Sequence, residues 1–282
     1  MWGENIFCTG IIIRMIDKLS LTSFAVPNSV CLFVKGEVTE DVSRSHLYRY
    51  IWRLPRATVL YCPHKFGDKT NARIPFTKID INPKYFECYN EMVAYLSDVL
   101  EDGDRILDVS NVTRVDIAAD IEGLSVDVIM SMLRIRNIRL DSISFYKGTF
   151  YAGSDPKIRI YDKVKEIKAR IRKGEEMTSY EKGLLESGKS YTRFEVQIRN
   201  VKKTLHEIAD DPVSLAAYYD RLQFFDFQGK NDSGVLPFFY KYVNRKFRGE
   251  LDKYRNNSIV DDMKGQYKES VLNWFDSGRE PF

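Results

Sequence analysis

Val112-Thr113-Arg114-Val115-Asp116-Ile117-Ala118-Ala119-Asp120 alternates between two kinds of side chain. Successive residues of a strand point to opposite faces. One face of this stretch carries Arg114, Asp116, Ala118 and Asp120, and the other Val115, Ile117 and Ala119. The partition recurs downstream. Lys157, Arg159 and Tyr161 oppose Ile158 and Ile160, and Arg193, Glu195 and Gln197 oppose Phe194, Val196 and Ile198. Upstream, Lys78, Asp80 and Asn82 oppose Ile79 and Ile81. Four strands that each hold one aliphatic and one polar face argue for an antiparallel sheet.

Leu19 to Val26, Val30 to Val38 and Thr58 to Cys62 are further β-branched or aromatic runs bounded by Pro, Gly or Asn, and read as strands. Thr149 to Ala152 and Lys157 to Tyr161 flank Gly153-Ser154-Asp155-Pro156 as a β-hairpin. Helical spacing marks Tyr89 to Leu100, Ser125 to Ile135 and a basic helix from Lys163 to Lys173 with Val164, Ile167 and Ile171 as its apolar stripe. Thr178-x-x-Glu181 is a capping box opening a short helix that Gly188 closes. From Lys203 the character turns helical, and Asp211-Pro212 is an N-cap and first position for a helix from Val213 to Phe225. The predicted fold class is α+β: an antiparallel sheet with one aliphatic face packed by helices and one polar active-site face, then an α-helical C-terminal region. The predicted division is a catalytic domain over 1–204 and a helical region over 205–282 that serves DNA recognition or oligomer contacts.

The 282 residues are 44% hydrophobic and 29% charged, and 43 Lys and Arg against 40 Asp and Glu leave a net charge of +3. That balance excludes a disordered chain or a nucleic-acid-coating tail as a description of the whole. No apolar run approaches the roughly 18 residues of a membrane span, and Ile11-Ile12-Ile13 is broken at Arg14. Glu4 and the lack of a basic leader argue against a signal peptide. A cytoplasmic protein with no membrane partner is the expectation. Cys8, Cys31, Cys62 and Cys88 stand singly, which predicts reduced thiols. No His-x-His pair is present among His46, His64 and His206.

An ordinary solvated sheet face also alternates. These strands differ in placing carboxylates centrally and Arg and Lys around a tyrosine. Carboxylates at i and i+2 or i+4 converge on one side of a strand, and such oxygen donors suit a divalent metal, Mg²⁺ or Mn²⁺. Lys157 to Lys173 holds eight basic residues (Lys157, Arg159, Lys163, Lys165, Lys168, Arg170, Arg172, Lys173) against Asp162 and Glu166. A local excess of that size marks a path for a phosphate backbone. Glu166 is also spaced to pair with Arg170 at i,i+4. Phe239 to Arg248 interleaves aromatics with bases, which suits DNA or an amphipathic helix docked on the core.

Val112 to Asp120, then Tyr151-Ala152-Gly153, then Arg159-Ile160-Tyr161-Asp162-Lys163-x-x-Glu166, then Arg193-Phe194-Glu195 resemble, in order, the motifs of the Rep_trans replication initiation factors. Ile79-Asp80-Ile81-Asn82-Pro83 and Asp17 to Thr22 are similar to the family's upstream pattern, so the resemblance covers about residues 15–205. It implies a rolling-circle replication initiator, of a plasmid or phage, that nicks one strand of replication-origin DNA and joins itself to the 5′ end. Tyr161 then stands at the nucleophile, ahead of Tyr151, and Asp116, Asp120 and Glu195 at the metal in place of the missing histidine pair. Lys163, two residues on, stabilises phenoxide or the departing 3′ oxygen. Arg159 and Arg193 brace phosphate oxygens, and Lys157, Lys165, Lys168, Arg170 and Arg172 contact DNA. The family further implies a homodimer and a host helicase partner. Two alternatives stay open: a relaxase acting at a conjugative transfer origin, and a non-enzymatic DNA-binding module.

Overall fold

The computed structural model describes residues 11–12, 16–43, 47–64, 75–101, 110–136, 138, 142–225 and 255–276. It is mixed α+β, with a large antiparallel sheet and helices that include a C-terminal one. The chain divides into two compact units, each assembled from separate stretches.

One unit comprises Ile16–Asp116, Ile198–Pro212 and Val271–Phe282. Its strands β2 (Ile16–Ser23), β3 (Glu37–Glu40), β4 (Tyr48–Arg53), β5 (Ala57–Pro63) and β6 (Thr77–Ile81) run in the order β3-β4-β5-β6-β2. Register aligns Leu21 and Val59 with Ile79, and Leu19 and Ala57 with Ile81, so one face of three strands becomes continuous buried core. The predicted helix over 89–100 forms from Tyr89 to Val99 and buries Met92, Leu96 and Val99. The predicted strand from Val30 to Val38 is not formed. Ser29–Val34 is a helix, α1, because the Asn28 side chain accepts a hydrogen bond from Val30 N at 3.0 Å and caps the first turn. The strand that forms there is β3, Glu37–Glu40. Val30 and Val34 are 70% and 75% exposed, so the apolar run reflects no buried strand.

The other unit comprises Met1–Met15, Ile117–Gln197 and Val213–Ser270. Strands β7 (Asn111–Glu122) and β12 (Tyr191–Thr204) each contribute residues to both units. Within this one, β1 (Ile11–Ile12) pairs with β7, and β12 lies between β7 and β11 (Lys157–Asp162), followed by β10 (Thr149–Ala152) and β9 (Ile143–Tyr146). The hairpin forms as predicted, pairing Phe150 with Ile160 and Tyr151 with Arg159. Gly153 is required at its turn: its φ is +76°, and a Cβ there would stand 2.7 Å from the Pro156 carbonyl oxygen. Val126–Met132, Lys163–Ile171 and Ser179–Glu186 form helix A, helix B and helix C.

Two predicted helices are shorter than expected. Helix A ends at Met132, and Leu133–Ile135 becomes a strand, β8, paired with Leu222–Phe225. The predicted helix from Val213 to Phe225 is a 3-10 helix over Pro212–Arg221 that gives way to this strand. Aromatic residues Phe224 and Phe225 favour the strand, and both are buried. The C-terminal region is therefore not wholly helical; its long helix is Ser258–Asp276. The Phe239 to Arg248 stretch lies outside the described residues. Cys31, Cys62 and Cys88 are free thiols, and Cys8 is outside the described residues. Among the described residues, no helix is long and apolar enough to cross a membrane.

Candidate functional site

Strand β11 ends where helix B begins, and Asp162 makes the junction. Its side chain accepts a hydrogen bond from Lys165 N at 2.9 Å, capping the helix and ending the extended run. Tyr161 is thus the penultimate residue of a strand and Lys163 the first of a helix. In the antiparallel pairing with β12, Tyr161 is opposite Arg193 and Arg159 opposite Glu195.

The side chains do not follow that register straight across. Tyr161 donates diagonally to Glu195 Oε2 at 3.2 Å, and Arg159 Nη1 meets Glu195 Oε1 at 2.6 Å. The Arg159 guanidinium also lies 5.3 Å from the Tyr161 ring centroid. Burial works against the Arg159 charge, but Glu195 and Tyr161 more than offset it and the guanidinium pKa is raised. Arg159 Nε is buried and has no hydrogen-bond partner among the described residues. Lys157, also on β11, lies over the Tyr151 ring of β10 at 4.8 Å.

Arg193 turns to β7. Its Nε and Nη2 meet the two oxygens of Asp120 at 2.6 and 2.5 Å, a bidentate pair with both side chains buried. Tyr180, from helix C, donates to Asp120 Oδ2. Burial pushes the Tyr219 phenol well above its usual range; Tyr267 and Asp120 add to this and Arg193 opposes it. The polar face of β7 and β12 is therefore not a solvated face here, since Asp120, Arg193, Glu195 and Gln197 are all buried.

Lys163 is held apart from these pairs. Its ammonium lies 2.6 Å from Glu166 and 3.7 Å from Glu181. Glu166 also takes Arg170 at 2.6 Å, the i,i+4 pair that the spacing predicts. Glu181 serves twice. Its Oε2 closes the capping box with Thr178 N at 3.0 Å, while its Oε1 pairs with Arg170. Burial opposes the Arg170 charge, but Glu166 and Glu181 outweigh it and raise its pKa. Ile167, Leu184 and Tyr191 form the apolar cluster beneath, with Tyr180 packed against it.

The three carboxylates expected at a metal are each committed to arginine: Asp120 to Arg193, Glu195 to Arg159, and Asp116 to Arg114 at 2.7 Å. Asp116 belongs to the other unit. Donors of this type suit Mg²⁺ or Mn²⁺. With a guanidinium on every one, and no group of three or more His, Cys, Asp or Glu able to hold an ion among the described residues, the set as arranged does not fit a metal. No chemical step below runs through one.

The residues expected on DNA divide by surroundings. Lys165 and Lys168 are exposed on helix B, and Arg172 is exposed at its C-cap. Arg159, Arg170 and Arg193 are engaged by carboxylates. Sequence reasoning did not single out Tyr180, and it read Glu181 only as a cap. Cap and ion-pair roles share one residue type, so the pattern that reveals the first conceals the second. No family model, curated protein or solved structure matches this chain.

Proposed function

We propose that this chain nicks and rejoins one DNA strand through a tyrosine ester, as an initiator of rolling-circle replication, with Tyr161 as nucleophile. The observation that carries the reading is the Tyr161 hydroxyl, 3.2 Å from Glu195 and beside the Arg159 guanidinium. A phenol of ordinary pKa, about 10, is a weak nucleophile near neutrality. A carboxylate within hydrogen-bond reach takes its proton as the oxygen attacks, and a cation over the ring favours the developing phenoxide.

In the proposed step the Tyr161 oxygen bonds to phosphorus and the bond from phosphorus to the 3′ oxygen breaks. The phenolic proton passes to Glu195, and the leaving 3′ oxygen takes a proton from Lys163. Each transfer reverses on rejoining, because the ester retains the bond energy. The polar face of β11 and β12 is the proposed active-site face, opposite an aliphatic face packed by helices. Lys165, Lys168 and Arg172 meet the phosphate backbone. Origin DNA, a second copy of the chain and a host helicase complete the proposal, in the cytoplasm. Mg²⁺ or Mn²⁺ belongs to it only as an ion for which Asp120 and Glu195 would first release arginine.

A second reading, a DNA-binding module without catalysis, is favoured by the 7% exposure of Tyr161 and by the arginine partner on each carboxylate. The test uses labelled single-stranded DNA tiled across the replicon that encodes the chain, with Mn²⁺ or EDTA, on denaturing gels. A covalent band that Tyr161→Phe abolishes supports the nickase, and the cut site tells a replication origin from a transfer origin. Equal binding by both proteins with no covalent band on any tile supports the module.

A further inference from the structure

The unit containing Ile16–Asp116 holds a cleft of about 510 Å³ on the polar face of its sheet, which shares no residue with the Tyr161 site. Register lays Arg53, Thr58, Asp80 and Ser20 in one row, crossing β4, β5, β6 and β2. Three strand spacings make that row roughly 14 Å long. Four cations line the cleft: Lys18, Arg53, Arg56 and Lys78. Asp80 is the one carboxylate among its lining residues, and it is occupied by the Ser20 hydroxyl at 2.5 Å and Lys78 at 3.3 Å.

Arg53, at one end of the row, and Lys18, two residues from Ser20 at the other, are the least neutralised. Arg53 gives its hydrogen bond to the neutral Thr39 hydroxyl at 3.0 Å. Lys18, on β2, has no ion-pair partner among the described residues. Arg56 is shared with Glu91 at 2.5 Å. Two further features differ in kind. Asn82 Oδ1 is buried in the lining and accepts no hydrogen bond from the described residues. The Tyr85 ring is exposed at the rim, with Lys84 over it at 5.1 Å.

We propose that this cleft binds a segment of single-stranded nucleic acid. A lone anion is gathered by donors that converge on a point, whereas these cations are spread over three strands and the turn between β4 and β5, as a run of phosphates requires. A volume of this size admits a nucleotide-sized ligand. Tyr85 supplies a face on which a base stacks, and Asn82 supplies an acceptor for a base amino group. An acidic peptide would use the cations but leave the ring and the acceptor without a role. The inference stands apart from the nicking chemistry, and its failure would leave that reading untouched.

The test is fluorescence anisotropy with a labelled 12-nucleotide single strand, measured on the full chain carrying Tyr161→Phe so that no product forms. Lys18→Ser with Arg53→Ser is compared with Lys182→Ser with Lys268→Ser, which removes two exposed lysines elsewhere. The cleft pair is expected to weaken binding at least tenfold and to lower the salt slope by about 1.4, roughly 0.7 per lost phosphate contact. The control pair is expected to change binding less than twofold. Tyr85→Ala, which leaves the charges in place, is expected to weaken binding about fivefold at unchanged salt slope. Equal effects of the two double variants, no effect of the cleft pair, or displacement of the strand by polyglutamate at equal charge would each overturn the proposal. Thermal melts of every variant accompany the titrations, and Tyr85→Ala decides the matter if the double variant fails to fold.

Discussion

Tyr161 and Glu195 meet diagonally: their strands pair Tyr161 with Arg193 and Arg159 with Glu195, yet the phenol hydroxyl reaches Glu195 Oε2 at 3.2 Å. The diagonal leaves Arg193 for Asp120 on β7 and lets Arg159 serve both Glu195 and the Tyr161 ring. One phenol, one carboxylate and one guanidinium are thereby fixed together on two adjacent strands, where backbone hydrogen bonding limits their drift.

Glu195→Gln tests the proton acceptor. The amide keeps the shape but cannot take a proton at neutral pH. The covalent adduct should form 10²–10⁴-fold more slowly, with less loss at high pH, where phenoxide forms without a base. A rate like wild type across the pH range would remove Glu195 from the chemistry.

Asp120→Asn tests the buried pair. It leaves Arg193 without its counter-charge, and breaking one side of a buried pair costs about 3–5 kcal/mol. Urea denaturation should show that loss, while Asp120→Asn with Arg193→Met should recover part of it. A loss below about 1 kcal/mol in the single variant would mean that water already screens the pair.

Much of this site was legible in the alternation of residues. Arg159 and Tyr161 do share a face, as do Arg193 and Glu195, because strand geometry alone dictates it. What period cannot supply is the partner. Arg193 and Asp120 are 73 residues apart, and nothing in either segment names the other. The spread of acids and bases that suggested metal ligands and phosphate braces is also what produces one arginine on each carboxylate. The strand expected at Val30 to Val38 failed for a local reason, the Asn28 cap, which outweighs the β propensity of two exposed valines.

Glu181 joins the cap of helix C to the Lys163 network, so two substitutions should separate its roles. Thr178→Ala removes only the capping hydroxyl and should cost about 1 kcal/mol. Glu181→Ala removes the reciprocal cap and also strips Arg170 and Lys163 of a buried carboxylate. Its loss in chemical denaturation should be at least twice as large. Equal losses would show that the ion pairs add nothing.

Alkaline pH should destabilise the chain. Burial raises the Tyr48 phenol to about 12, and raises Tyr219 and Tyr267 as well. An unfolded tyrosine ionises near 10 while these remain protonated, so the unfolded state is the one that loses protons first. Stability is therefore complete below about pH 10 and falls above it, by about 1.4 kcal/mol per pH unit for each such tyrosine. Urea midpoints between pH 9 and 11.5 check the slope, which Tyr48→Phe should reduce. A flat profile would contradict the burial of these phenols.

The most direct measurement of the central claim is the identity of the residue joined to DNA. The covalent complex is digested with nuclease and protease, and the peptides are sequenced by mass spectrometry. The account predicts a nucleotide mass on Tyr161 alone, in the peptide that spans β11 and the start of helix B. A modified Tyr151 or Tyr180 with Tyr161 unmodified, or no nucleotide on any tyrosine, would contradict it.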